Sequence, residues 1–169
     1  MATTYDPIAT TTLGSAASSI TFSSIPSTYT DLRLVVVGIA SSGVAMCMRF
    51  NSDSATNYSQ TYLYGDGSTA ASGRNTSLTR INLTQVTNFG QNALPQMVTA
   101  DIFSYAGSTY KTCLTTEAAD GNGATFQSVV SLVGLWRSTS AINNIYLYND
   151  GSGSYAAGTT ATLYGIKSF

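Results

Sequence analysis

Histidine is absent from this chain of 169 residues, which removes the commonest general base and the commonest metal ligand together. Charge is nearly as scarce: Asp, Glu, Lys and Arg make up 9% of the residues, against about a quarter in an ordinary globular protein. Seven basic residues against eight acidic ones leave a formal net charge of -1. The basic ones stand singly, so no cationic stripe is offered to nucleic acid. Cysteine occurs twice, at Cys47 and Cys113; both fall inside expected strands and read as buried reduced thiols rather than a cross-sheet disulfide. No apolar run approaches the roughly 20 residues of a membrane-spanning helix, so no membrane is expected. Residues 1–7 have neither the basic nor the apolar region of an export signal. The glycosylation sequons at Asn57, Asn75 and Asn82 are accordingly read as accidents of composition.

What fills the space is hydroxyl: serine and threonine account for roughly a quarter of the chain. A near-neutral, hydroxyl-rich surface suits a part of a larger assembly better than a free monomer. The most apolar stretch, residues 29–40, enters from the turn at Pro26 and becomes the β-branched run Leu34-Val35-Val36-Val37. A run so apolar is expected to be covered on both faces, as a central strand. Residues 126–137, with the single tryptophan Trp136, repeat the pattern. Val44, Met46, Met48 and Phe50 alternate on one face of a strand, expected to form a hairpin with the run before Ala40 through Ser41-Ser42-Gly43. The clearest hairpin joins residues 95–105 to 109–117 across Ala106-Gly107-Ser108. Residues 68–77 are small and polar and read as an exposed loop. Residues 84–94 show no period, and Asp120-Gly121-Asn122-Gly123 reads as a turn. About ten short strands without an amphipathic helix predict an all-β fold, an antiparallel β-sandwich of jelly-roll-like type. No linker divides the chain, so residues 1–169 are read as one domain. Residues 1–12 are read as an arm contacting a neighbour or, equally, a plain edge strand.

Reaction chemistry is thin. Asp101 and Glu117 lie on the two arms of the predicted hairpin, roughly compatible with the paired carboxylates of a glycosidase, but Lys111 or Arg137 would equally neutralise them. Serines abound without the base that would activate one. Asn51, Asp53 and Asn57, like the 120–123 turn, offer oxygen ligands but too few carboxylates for a calcium cage, so ordinary turns are the favoured reading. No enzyme, metal or cofactor is expected. Tyrosine is conspicuous instead: Tyr62 and Tyr64, and Tyr146 and Tyr148, recur at period two, so each pair shares a sheet face. Such rows are either cross-strand packing or a contact face for a neighbouring subunit or sugar rings. With Tyr5, Pro7 and Ile8 of the N-terminal segment they form the candidate interface.

Several segments together resemble a group of small tailed-phage virion proteins. They are Tyr5-Asp6-Pro7-Ile8-Ala9 with Thr12-Leu13-Gly14; residues 20–32, containing Ile25-Pro26-Ser27-Thr28-Tyr29-Thr30-Asp31-Leu32; Arg49-Phe50-Asn51-Ser52-Asp53 with Asn57-Tyr58-Ser59; Leu63-Tyr64-Gly65-Asp66-Gly67; and Leu163-Tyr164-Gly165-Ile166-Lys167. Each is a weak motif; their order across the whole chain is the specific part. The resemblance implies a capsid decoration (cement) protein, head knob or tail-associated part, commonly a homotrimeric β-structure. It implies a virion location on the outer capsid surface after synthesis in the host cytoplasm, with the major capsid protein as partner. The alternative it leaves is a tail-fibre tip recognising host surface glycan through the tyrosine rows and residues 68–77. A third and lesser option is a carbohydrate-binding module of a secreted hydrolase.

Overall fold

A computed structural model of the chain describes residues 4–40, 45–84, 89, 94–120 and 127–167. The described residues form twelve strands and no helix, so the expected all-β class holds, with two strands more than counted. Strands β1 (Tyr5–Thr12), β3 (Asp31–Gly38), β5 (Tyr58–Gly65), β6 (Ala70–Leu78), β8 (Gln96–Phe103), β9 (Lys111–Asp120), β10 (Gln127–Trp136) and β12 (Thr160–Ile166) build one sheet in the order β1-β12-β3-β8-β9-β10-β5-β6. Strands β2 (Ser19–Phe22), β4 (Met46–Phe50), β7 (Ile81–Asn82) and β11 (Ile145–Asn149) build the second, in the order β2-β11-β4-β7. Every pairing is antiparallel. The ribbon β3–β4 lies along the ribbon β11–β12, with β3 beside β12 in one sheet and β4 beside β11 in the other. That wrapped pair of ribbons is what makes the sandwich jelly-roll-like.

Period-two alternation accounts for the core. Leu32, Leu34 and Val36 of β3, Val130, Leu132 and Trp136 of β10, and Met46, Met48 and Phe50 of β4 all turn inward and join one cluster. Trp136 stacks on Tyr58 at 6.2 Å and meets Phe50 at 5.6 Å, tying the two sheets together. Its indole N–H donates to Asp53 Oδ2 at 2.7 Å, which also accepts from Asn57 Nδ2 at 3.0 Å. Burial opposes ionisation of Asp53, but donation from Asn57, Trp136 and the Ala55 N–H outweighs it and holds the carboxyl below its usual range. Asn51 Oδ1 accepts from the N–H groups of Asn143 and Asn144. The oxygens of this loop are thus spent on N–H donors, as an ordinary turn requires.

Two expectations are corrected. Strands β3 and β4 are not a hairpin, because they belong to different sheets; the turn residues 41–44 lie outside the described residues. Residues 68–77 are not a loop: from Ala70 onward they form β6, paired with β5 from Gly65↔Ala70 to Tyr58↔Leu78. The Asp66 carboxylate builds the tip by accepting from the N–H groups of Thr69 (2.6 Å) and Ser68 (2.9 Å), while Gly67 takes the positive φ of 87° that the turn requires. The expected 95–105 to 109–117 hairpin is present as β8–β9. Of the expected 120–123 turn, Asp120 is the last residue of β9, while 121–123 and most of 84–94 fall outside the described residues.

Candidate functional site

The four-stranded sheet covers the inner face of the eight-stranded one, whose outer face no described strand covers. Strand register brings the outward residues of five neighbouring strands into rows. Val37 stands beside Met97, Met97 beside Ala118, and Ala118 beside Val129. One row down, Thr99, Thr116, Ser131 and Leu63 are neighbours; the next row places Asp101, Leu114, Val133 and Thr61 together. Leu63 and Val129 are each 63% exposed, and Val37, Met97, Leu114 and Val133 are exposed as well. At the usual strand spacing this patch is about 19 Å wide. A shallow depression of about 530 Å³ between Leu63, Val129, Ser131, Ser72 and Ala70 opens on it.

Electrostatically the patch is close to blank. Arg33 and Asp101 neutralise each other at 3.2 Å, and Arg74 stands at the margin on β6. Toward β1 the face becomes hydroxylic, with Thr10 and Thr162 bonded at 3.1 Å and Thr12 and Thr160 at 3.2 Å. The two most apolar runs of the sequence, in β3 and β10, are therefore covered on one face only. The expectation of two-sided burial is unmet in the isolated chain, and a contiguous exposed apolar patch of this kind marks an interaction surface.

The sequence-derived interface residues are dispersed over three places. Tyr5 is exposed on β1 and meets Tyr164 edge-on at 6.5 Å; Pro7 is exposed beside it in register with Tyr164. Ile8 packs against the core. Tyr62 and Tyr64 also pack against the core, their rings 6.4 Å apart, and a Cβ on Gly73 would lie 2.5 Å from Tyr62 Oη. Tyr146 and Tyr148 are on the outer side of the four-stranded sheet, stacked at 5.2 Å with Arg49 4.7 Å above the Tyr148 ring. Arg80 closes that cluster through a bond to Asn82 Oδ1 and an ion pair with Asp150. Cys47 lies beneath it, and burial raises its thiol to about 11. Burial raises the core thiol of Cys113 to about 12. Both cysteines are free.

Asp101 and Glu117 are not a pair. Asp101 is in register with Leu114 and Glu117 with Val98, so they stand on opposite faces of the hairpin, Asp101 outward and Glu117 in the core. Of the expected cations, Lys111 is buried and donates to Gly107 O at 2.6 Å, and Arg137 donates to Thr56 O at 2.9 Å and Ser59 Oγ at 3.2 Å. Among the described residues no group of acidic, histidine or cysteine side chains is arranged to hold a metal ion.

Leu63, Met97, Leu114, Val129 and Val133 are surface residues that were not expected from the sequence. Their signal was present: at each position the alternation places an apolar residue where an outward strand residue is ordinarily polar.

The chain matches no protein-family model and is similar to no curated protein. Among solved structures it is similar to the galectin LEC-6 of Caenorhabditis elegans, at 12% identity and a TM-score of 0.37, covering 94% of this chain and 96% of that one. At that overlap the fold rests on the chain's own strand pairing.

Proposed function

We propose that this chain is a non-enzymatic structural protein of a tailed-phage virion: a capsid cement protein that lies on the outside of the assembled shell and bridges major capsid subunits. The observation that supports it is the open outer face of the eight-stranded sheet, apolar in the middle, hydroxylic toward β1 and nearly free of net charge. Such a face adheres by area and shape. Completing the burial of each half-exposed Leu, Val or Met contributes about 1 kcal/mol, several in sum, which offsets the entropy lost on docking. Binding to assembled shell and not to free subunits then stabilises the shell by mass action. The resemblance adds a homotrimer to this reading, and the exposed margin of β1, with Tyr5 and Pro7, is the place for contact with a neighbouring protomer. The test is to add the purified protein to heads stripped of it and measure their resistance to heat or chelators. Saturable binding with raised resistance supports the proposal; heads that neither bind the protein nor gain resistance refute it.

The stacked pair Tyr146 and Tyr148 favours a second reading, a tail-fibre tip that holds host surface glycan against aromatic rings. Saturable binding on a glycan array, lost in Tyr146→Ala, supports that reading, and silence across the array removes it.

A further inference from the structure

The edges of the two sheets are treated unequally. Strand β1 carries Pro7, a register shift between Pro7 and Ala9, and the Asp6–Lys167 ion pair at 2.8 Å; proline, bulge and charge are the devices that block pairing with another chain. Strands β2 and β7, the edges of the other sheet, have only four and two residues. Strand β6 has nine residues, no proline, and among the described strands a single neighbour, β5. Its first four residues are Ala70, Ala71, Ser72 and Gly73, and Arg74 is its one charge.

The direction of its backbone groups follows from the turn. Asp66 N–H donates to Thr69 O at 3.1 Å, so Asp66 and Thr69 form a hydrogen-bonded pair and Gly65↔Ala70 a non-bonded one. Alternation along an antiparallel ladder then turns the N–H and C=O of Ala71 and Gly73 toward β5 and those of Ala70, Ser72 and Arg74 outward.

We propose that β6 pairs antiparallel with β6 of a second copy of this chain, joining two eight-stranded sheets into one continuous sheet. A single two-fold register engages all three outward residues at once: Ser72 opposite Ser72 of the other copy, and Ala70 opposite its Arg74. That register keeps the two arginines apart, each facing an alanine, so the strand is complementary to itself in shape and in charge. The depression bordered by Ala70, Ser72, Leu63 and Val129 then lies at the seam, and the open apolar faces of the two copies become one surface. The inference puts a two-fold dimer in place of the homotrimer of the capsid reading and is otherwise independent of that reading, because it is tested without shells.

The test is sedimentation velocity of the full chain over a concentration series, with circular dichroism as the control for folding. The wild type runs at twice the chain mass of 17.7 kDa and dissociates on dilution. Ser72→Pro removes an N–H that β5 does not use, so it leaves the fold intact and gives monomer. Should Ser72→Pro fail to fold, the exposed position 70 decides. Ala70→Lys faces Arg74 of the other copy and weakens the dimer roughly threefold to tenfold, whereas Ala70→Glu strengthens it by a similar factor. A wild type that is monomeric or trimeric at every concentration overturns the inference, as does a dimer that Ser72→Pro leaves intact or that both Ala70 variants shift alike.

Discussion

The two outer faces of this sandwich are finished differently. On the four-stranded sheet, Tyr146 and Tyr148 stack on each other, Arg49 caps the Tyr148 ring, and Arg80 with Asp150 closes the margin. That face is covered by its own side chains, and even the Cys47 thiol beneath it is hidden. On the eight-stranded sheet, Leu63, Val129 and their neighbours stand open, with a single neutralised ion pair among them. Aromatic residues alone do not mark a contact surface: the tyrosine face is closed by its own cations, while plain aliphatic side chains remain without cover.

The largest expected effect breaks this contrast from the open side. The double substitution Leu63→Glu with Val129→Glu weakens binding to assembled shells about thirtyfold or more. It leaves folding stability within about 0.5 kcal/mol, because both side chains already face water. Binding isotherms paired with urea titrations check it. On the closed side the same logic runs in reverse. Tyr148→Ala costs about 2–4 kcal/mol of stability and leaves shell binding by the folded protein unchanged. It also opens Cys47 to a thiol reagent at pH 8, while Cys113, in the core, stays unreactive until the protein unfolds.

A smaller effect belongs to the junction between the faces. Asp53→Ala strands the indole N–H of Trp136 and costs about 1–3 kcal/mol. Because the carboxyl sits below its ordinary value of 3.8 when folded, its contribution is complete above that value and is lost as pH falls through the folded one. Urea midpoints taken between pH 5 and pH 3 therefore drop more steeply in the wild type than in Asp53→Asn. The smallest effect is at the exposed Arg33–Asp101 pair. Arg33→Ala changes stability by less than about 1 kcal/mol and barely alters the salt dependence of shell binding, which is weak because so little charge is involved.

Much of the fold was legible because period-two alternation is a local signal. Met46, Met48 and Phe50 declare their buried face without reference to any partner, and Gly107 punctuates β8–β9 unambiguously. The misread hairpin shows the limit. Ser41-Ser42-Gly43 signals a reversal, but no turn residue states whether the returning strand joins the same sheet or crosses to the other. Strand β6 was missed for a related reason: Ala70 to Ser77 has almost no strand propensity of its own and is held by the Asp66 turn and the β5 backbone, which are tertiary causes. The open face was half legible. The apolar runs in β3 and β10 stated that both faces want cover, but not that the described strands supply cover for only one.

Methionine oxidation tests the central claim most directly, since Met97 lies in the patch at 44% exposure while Met46 and Met48 are 1% and 0% exposed in the core. Peroxide treatment, read by mass spectrometry on the free protein and on the protein bound to shells, follows all three at once. Met97 is expected to oxidise rapidly in solution and to be strongly protected on the particle, while Met46 and Met48 oxidise slowly in both. Met97 oxidising on fully occupied particles as fast as it does in solution would show that the open face is not the one that docks.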